Sequence, residues 1–524
     1  MKNGTQKNKP RTFGEYLAAF TARRKEYSSQ SESMTFLLIL GLLSAVIMQH
    51  EVDPSFFMGC LLIALTLYFI FFKDIRRYKP VFMNERKMVY LLGMLLVSTL
   101  LVGKSFDYLT SSLNRGFGFT DSIASMFGTP IPVGAMLVAL IFDFHTALIF
   151  ALVISLLTGI SFHDPYLAVY VYIGSLTAAF SVMRCKKRSA LIKGGLHVSL
   201  VSIVVAGMVL LLTSNLFTAA APAAFLFAAM SGFFVIAIVS ISLPVIEYIF
   251  GISTDISLLE LLDLDQPLMR NMMISAPGTY HHSFIVGNLA EAAAEGVGAN
   301  PLLARVSSYF HDIGKMRMPE YFIENQQSGD SKHERLAPHM SSIILISHVK
   351  EGVELARQYK LPQVVIDIIQ QHHGTRMMAY FYQKARDQAG RAPVNDEDYR
   401  YPGPKPRTRV AALVMMADAK EASARALTDP TPARISALVE KIINEIFIDG
   451  QIAECELTLK DISEIKRRFT HVLISIFHRR IEYPDPEIRV LQHKAENITG
   501  KGSQGNGSIN KEQTKNDKDR SVKD

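Results

Sequence analysis

Cysteine is scarce. The 524-residue chain has only Cys60, Cys185 and Cys455, with no Cys-x-x-Cys spacing, which argues against a disulfide framework and a thiolate zinc site. Charge is scarce in one half: from about residue 34 to 250 the chain is a succession of apolar runs with few ionisable residues. Alternation of apolar and polar residues, the mark of a half-buried strand, is missing from residues 258–492, which argues against a sheet there. A cleavable signal peptide is missing too. The first apolar run follows a long polar leader, lacks a small-residue cleavage pattern and is followed by further runs. Within the apolar half nothing suggests a proton or ion relay. His197 and Glu247 sit near the ends of runs, where snorkelling accounts for them.

What is present divides the chain into four stretches. Residues 1–33 are a basic leader, 34–250 a transmembrane helical domain, 258–492 a stretch of soluble composition, and 493–524 a Gly-, Ser-, Asn-, Lys- and Asp-rich disordered tail. A bilayer core takes roughly 17–25 apolar residues per helix, and about eight segments qualify. They lie near 34–49, 55–73, 87–103, 129–143, 145–161, 165–183, 195–213 and 223–247, the fourth and fifth divided only by the turn from Asp143 to His145. Pro130, Pro132, Pro222 and Pro244 start or kink helices.

The net charge of +7 gathers beside these runs. Basic residues crowd the leader, the loop from Lys73 to Lys87 and the loop from Arg184 to Lys193, while the alternate loops hold few. With an even number of spans all three clusters and the C-terminal half fall on one side, which the positive-inside rule makes the cytosol. Lipid rather than nucleic acid is therefore the expected surface partner.

Eight of the fifteen histidines fall between His281 and His373. Apolar positions there recur at helical spacing over about 280–295, 301–313, 338–359, 362–374 and 410–427, so this half is expected to be all-α, with Gly296 ending the first helix and Gly314 capping the second. Successive helices carry His282, then His311 and Asp312, then His348, then His372 and His373, then Asp418. A lone helical histidine is more often an ordinary core residue. This ordered set is different, because burying so many polar side chains without a metal would leave unpaired groups. Imidazole and carboxylate donors suit Mn, Fe, Co or Zn, and Asp312, with one oxygen for each of two ions, is the natural bridge.

These residues resemble the HD phosphohydrolase superfamily, whose signature takes the form His311-Asp312-Ile313-Gly314-Lys315. Within it, the chain resembles the seven-transmembrane HD (HDIG) family of cyclic-di-AMP phosphodiesterases. The segments that carry this resemblance are Ala276–Ser283, Phe322–Gln326, Gln371–Thr375, Tyr399–Pro406 and Phe447–Gln451. The resemblance implies metal ligation by His282, His311, Asp312, His348, His372 and Asp418, with His281 the less suitable of its pair. It implies catalytic roles for Asp312, Lys315 and His373, the last two facing substrate. The implied cofactor is two divalent transition-metal ions, Fe or Mn first among them. The implied activity is a membrane-bound hydrolase opening a cyclic dinucleotide, cyclic-di-AMP to pApA, at the cytosolic face of a bacterial inner membrane, and a homodimer is left open. Family members carry a large extracytoplasmic domain between their first two spans. Here a few residues around Glu51 to Pro54 join them, so the chain resembles a version without it. The motif alone leaves hydrolysis of another nucleotide, a catalytically silent receptor and a transporter with a regulatory HD domain as alternatives.

Overall fold

The computed structural model describes residues 34–49, 53–79, 85–117, 122–183, 188–326, 331–390, 392–425, 427 and 429–477. The leader at 1–33 and the tail at 493–524 lie outside the described residues. One compact unit runs to Leu473; of the second, Ile474–Asp524, only residues 474–477 are described. Among the described residues there is no strand, only an isolated bridge between Met377 and Arg400, as the absent alternation predicts.

The apolar half is a bundle of α1 (Met34–Met48), α2 (Pro54–Tyr78), α3 (Arg86–Phe117), α4 (Ser122–Met126), α5 (Pro132–Ile141), α6 (Phe144–Ser161), α7 (Pro165–Val182), α8 (Ser189–Leu212) and α9 (Ala221–Phe250). Six of these, α2, α3 and α6 to α9, are long and apolar enough to cross a membrane, and the chain is a multi-pass membrane protein. Local chemistry sets the starts. Asp53, Asp143 and Asp164 cap α2, α6 and α7 by accepting backbone N–H groups, and Pro54 and Pro165 occupy first-turn positions that need no donor. The expected spans at 34–49 and 129–143 form shorter apolar helices, α1 and α5. At 129–143 only ten residues are helical, because Pro132 opens the helix and the preceding residues turn instead. That irregular backbone is held within protein: Tyr170 of α7 donates to the Phe127 carbonyl at 2.5 Å. α8 and α9 approach closely at Gly195 and Gly232, where a Cβ on Gly232 would lie 2.0 Å from the Gly195 carbonyl.

Contacts between helix ends define two rims. On one, Lys79 after α2 pairs with Asp143 before α6 at 2.8 Å, and Arg188 before α8 pairs with Glu260. On the other, Ser161 at the end of α6 donates to the Met48 carbonyl of α1 at 3.3 Å. Phe56 of α2 stacks there on His163.

The second half comprises α10 (Asp255–Leu261), α11 (Pro267–Ser275), α12 (Pro277–Val297), α13 (Pro301–Phe310), α14 (Pro338–Gln358), α15 (Gln363–Gln371), α16 (Ala379–Ala389), α17 (Arg409–Arg425), α18 (Pro432–Ile448) and α19 (Leu459–Ile476). Ile256 of α10 belongs to the membrane core and Leu258 to a second core built from Met269, Met272, Val306, Phe310, Val365 and Ile369. α12 ends at Gly298 (φ 68°), not Gly296, and the second predicted helix stops at Phe310. α12 packs along α13 and α17, and α14 along α15. The ends and inner faces of these helices meet at one buried point.

Candidate metal centre

Asp312 lies at that point. His311 follows the last residue of α13, and Asp312 leaves the helix (φ −110°, ψ 16°) for the 3-10 turn Ile313–Arg317. Gly314 in this turn is not the expected helix cap. Its Cβ position lies 1.9 Å from the His348 carbonyl, so only glycine lets the turn rest on α14. That contact brings Asp312 against the His348 helix.

The two Asp312 oxygens face different partners. Oδ2 lies 3.1 Å from His311 Nε2 and 3.5 Å from His282 Nε2; Oδ1 lies 3.3 Å from His348 Nε2 and 3.6 Å from His372 Nε2. Asp418, from α17, reaches His282 Nε2 at 3.1 Å with Oδ1, and its Oδ2 is 3.6 Å from His373 Nδ1. Two donor groups result, one of His282, His311, Asp312 and Asp418, the other of Asp312, His348, His372 and His373. Within each, the donor atoms lie within 4.8 Å of one another.

The histidines are oriented from behind. Nδ1 of His311, His348 and His372 donates to the carbonyl three residues earlier, of Ser308, Leu345 and Ile369, at 2.7, 2.5 and 2.6 Å. Nε2 is thereby directed at Asp312. His282 Nδ1 instead meets Glu421 Oε2 at 2.5 Å.

Burial alone would push the His311 imidazole down, but the Asp312 and Asp418 carboxylates push it up to about 10. Burial also works against the ionised carboxylates, yet His311 and Lys315 hold Asp312, and His282 and His311 hold Asp418, well below the usual range. Burial, with neighbouring imidazoles, pushes His372 and His373 down. Both Asp312 oxygens and His311 Nε2 are buried without a hydrogen-bond partner. Such orphan donors around imidazolium protons fit divalent cations, which displace those protons on binding.

Lys315 Nζ pairs with Asp312 Oδ2 at 2.7 Å and donates to Glu324 Oε1 at 2.8 Å. His373, 17% exposed, stacks on Tyr401 with ring centroids 4.2 Å apart. Every predicted site residue therefore converges here, while His281 is exposed. Sequence reasoning assigned no role to Glu324, Tyr401 or Glu421. The first two lie in motifs noted above, and Glu421 follows Asp418 by three residues, one helical turn on the same face.

Residues 54–254 match the family described as a 7TM receptor with intracellular HD hydrolase, and residues 279–423 match the HD domain. The chain belongs to this membrane-bound HD family. It is 37% identical over 369 residues to the cyclic-di-AMP phosphodiesterase PgpH of Bacillus subtilis (strain 168), covering 69% of this chain and 52% of that protein. It is 39% identical over 340 residues to PgpH of Listeria monocytogenes, covering 65% and 47%. The chain thus spans about half the length of the curated relatives it matches. The solved HD domain of L. monocytogenes PgpH in complex with cyclic-di-AMP is 45% identical, covering 42% of this chain and 100% of its own, with a TM-score of 0.39. In this membrane-bound HD chain the cluster is compatible with divalent metal binding.

Proposed function

We propose that the chain is a membrane-bound, metal-dependent phosphodiesterase that opens a cyclic dinucleotide, converting cyclic-di-AMP to pApA. The carrying observation is Asp312, whose two oxygens each face a separate group of histidines. The substrate reading comes from the two PgpH relatives.

In this reading His282, His311, Asp312 and Asp418 hold one divalent ion, and Asp312, His348 and His372 a second, with His373 within reach; Fe and Mn suit these donors. Bound there, such ions supply a nucleophilic water near neutral pH and charge for the phosphoryl oxygens. Water adds to phosphorus, the bond to the 3′-oxygen breaks, and that oxygen takes a proton. Lys315 keeps its proton: burial opposes the charge, but Asp312 and Glu324 more than compensate. Its ammonium supplies positive charge beside the phosphate. His373, partly exposed and neutral, is available to hydrogen-bond substrate.

The HD half faces the cytosol of a bacterium whose inner membrane holds the bundle. Supporting this, Lys79 and Arg188 lie on the rim from which α10 emerges. A homodimer is compatible with the reading; light scattering that returns the mass of one chain excludes it.

The test uses the full chain in detergent, supplied with cyclic-di-AMP and cyclic-di-GMP, beside an Asp312→Ala variant, with bound metal measured on both. Linear dinucleotide from the wild type and none from the metal-depleted variant is expected. Equal turnover by the variant would overturn the mechanism. Hydrolysis of neither dinucleotide would overturn the substrate assignment.

A further inference from the structure

The two donor groups are unequal, and the inequality traces to Glu421. Three of the histidines that face Asp312 lean on neutral backbone carbonyls. His282 alone leans on a carboxylate, Glu421, which is itself 1% exposed. Glu421 and Asp418 sit on one face of α17 and grip His282 from both sides, at Nδ1 and Nε2. Arg425 anchors the other oxygen of Glu421, with Nε donating to Oε1 at 3.0 Å, and so fixes the carboxylate in place. A carboxylate behind a metal-ligating imidazole raises its basicity and locks its ring.

Charge separates the groups further. Among its own donors, the group with His282 and His311 has two carboxylates, Asp312 and Asp418, while Glu421 behind them is paired with Arg425. The group with His348 and His372 has only the shared Asp312. The Lys315 ammonium near Asp312 Oδ2 is offset by Glu324. The second group also includes the partly exposed His373, whereas all four residues of the first are buried. A dication is drawn more strongly to the position with more buried negative charge.

We infer that Glu421 is a positioning residue acting through His282, and that it makes the His282–His311–Asp418 position the tight metal site that fills first. The His348–His372 position, which includes the partly exposed His373, fills second and exchanges. This inference rests on the metal-centre reading given above.

The test is a titration of the metal-stripped full chain with Mn(II), with free and bound ion followed by electron paramagnetic resonance. The wild type is expected to bind two ions in separate steps, further apart than the statistical ratio for equal sites. Glu421→Gln keeps an acceptor for His282 Nδ1 but removes the charge. It is expected to weaken the first step by about 10- to 100-fold and leave the second unchanged. Glu421→Asp, which keeps the charge, is expected to recover part of that loss. Equal steps in the wild type would overturn the inference alone. So would a Gln variant that weakens both steps alike, or neither. A wild type that binds no Mn(II) would overturn the metal-centre reading with it. If the Gln variant fails to fold, the wild-type steps and the Asp variant decide.

Discussion

His311 sets how this centre responds to pH. Its folded value, pushed up to about 10, lies above the ordinary 6.5, so the metal-free protein keeps the imidazolium at neutral pH. The stabilisation from its pairing with Asp312 and Asp418 is fully present below about 6.5 and is lost as pH rises through about 10. A metal must displace that proton. Apparent metal affinity should therefore rise with pH between neutrality and about 10, by up to about tenfold per unit for each proton displaced. Calorimetry in buffers of different ionisation enthalpy checks this, since proton release must accompany binding; a flat affinity with no release would contradict it. Lys315 is separable from metal binding. Lys315→Ala should leave two ions bound while turnover falls on the order of 100-fold, the scale of losing one charge-stabilising donor. Loss of metal from that variant would show that its pairing with Asp312 matters more than any contact with substrate. The cluster was legible in the sequence because each group of ligands ends or interrupts its own apolar helix. Glu421 and Glu324 were not, because they act through hydrogen bonds to other site residues, and such partners announce themselves only once helices are packed.

Among the elements, the 3-10 turn after α13 decides whether two halves of the site meet. Gly314 rests on the α14 backbone, its Cβ position 1.9 Å from the His348 carbonyl and 2.5 Å from the Gly352 nitrogen. Both neighbours are main chain and cannot rotate away. Gly314→Ala should cost about 3 kcal/mol or more through overpacking. It should also pull Asp312 away from His348 and His372. A lowered melting temperature together with loss of one bound ion is the expected pair of results; a wild-type metal content would show that the contact supports the fold without setting the site. Helical spacing located this turn but misassigned its glycine, since a helix stop and a close backbone approach leave the same residue in the sequence. The length of α5 was overestimated for a related reason. Hydropathy sums residues 129–143 as one apolar run and is blind to Pro132, which can open a helix but not continue one backwards.

At the scale of the whole molecule, the membrane half and the catalytic half share α10. Its Ile256 packs into one core and Leu258 into the other, and Arg188 of the α7–α8 connection pairs with Glu260 on the same helix. That exposed pair is worth about 1 kcal/mol at most, yet it shows which loops share a side with the HD half. Lys79 and Asp143 pair at 2.8 Å on one rim, whereas Met48, Phe56, Ser161 and His163 meet on the other. Helices α2, α6 and α7 therefore each run from one rim to the other, and α10 lies on the rim that holds Arg188. If the basic rim is cytosolic, alkaline phosphatase fused after Lys79 should be inactive in a bacterial host, and the same enzyme fused after Phe162 should be active. A green fluorescent protein at the same two points should give the opposite pattern. Phosphatase activity at Lys79 would put the HD half outside the cell, away from any cytosolic nucleotide, and the proposed substrate would fall with the topology.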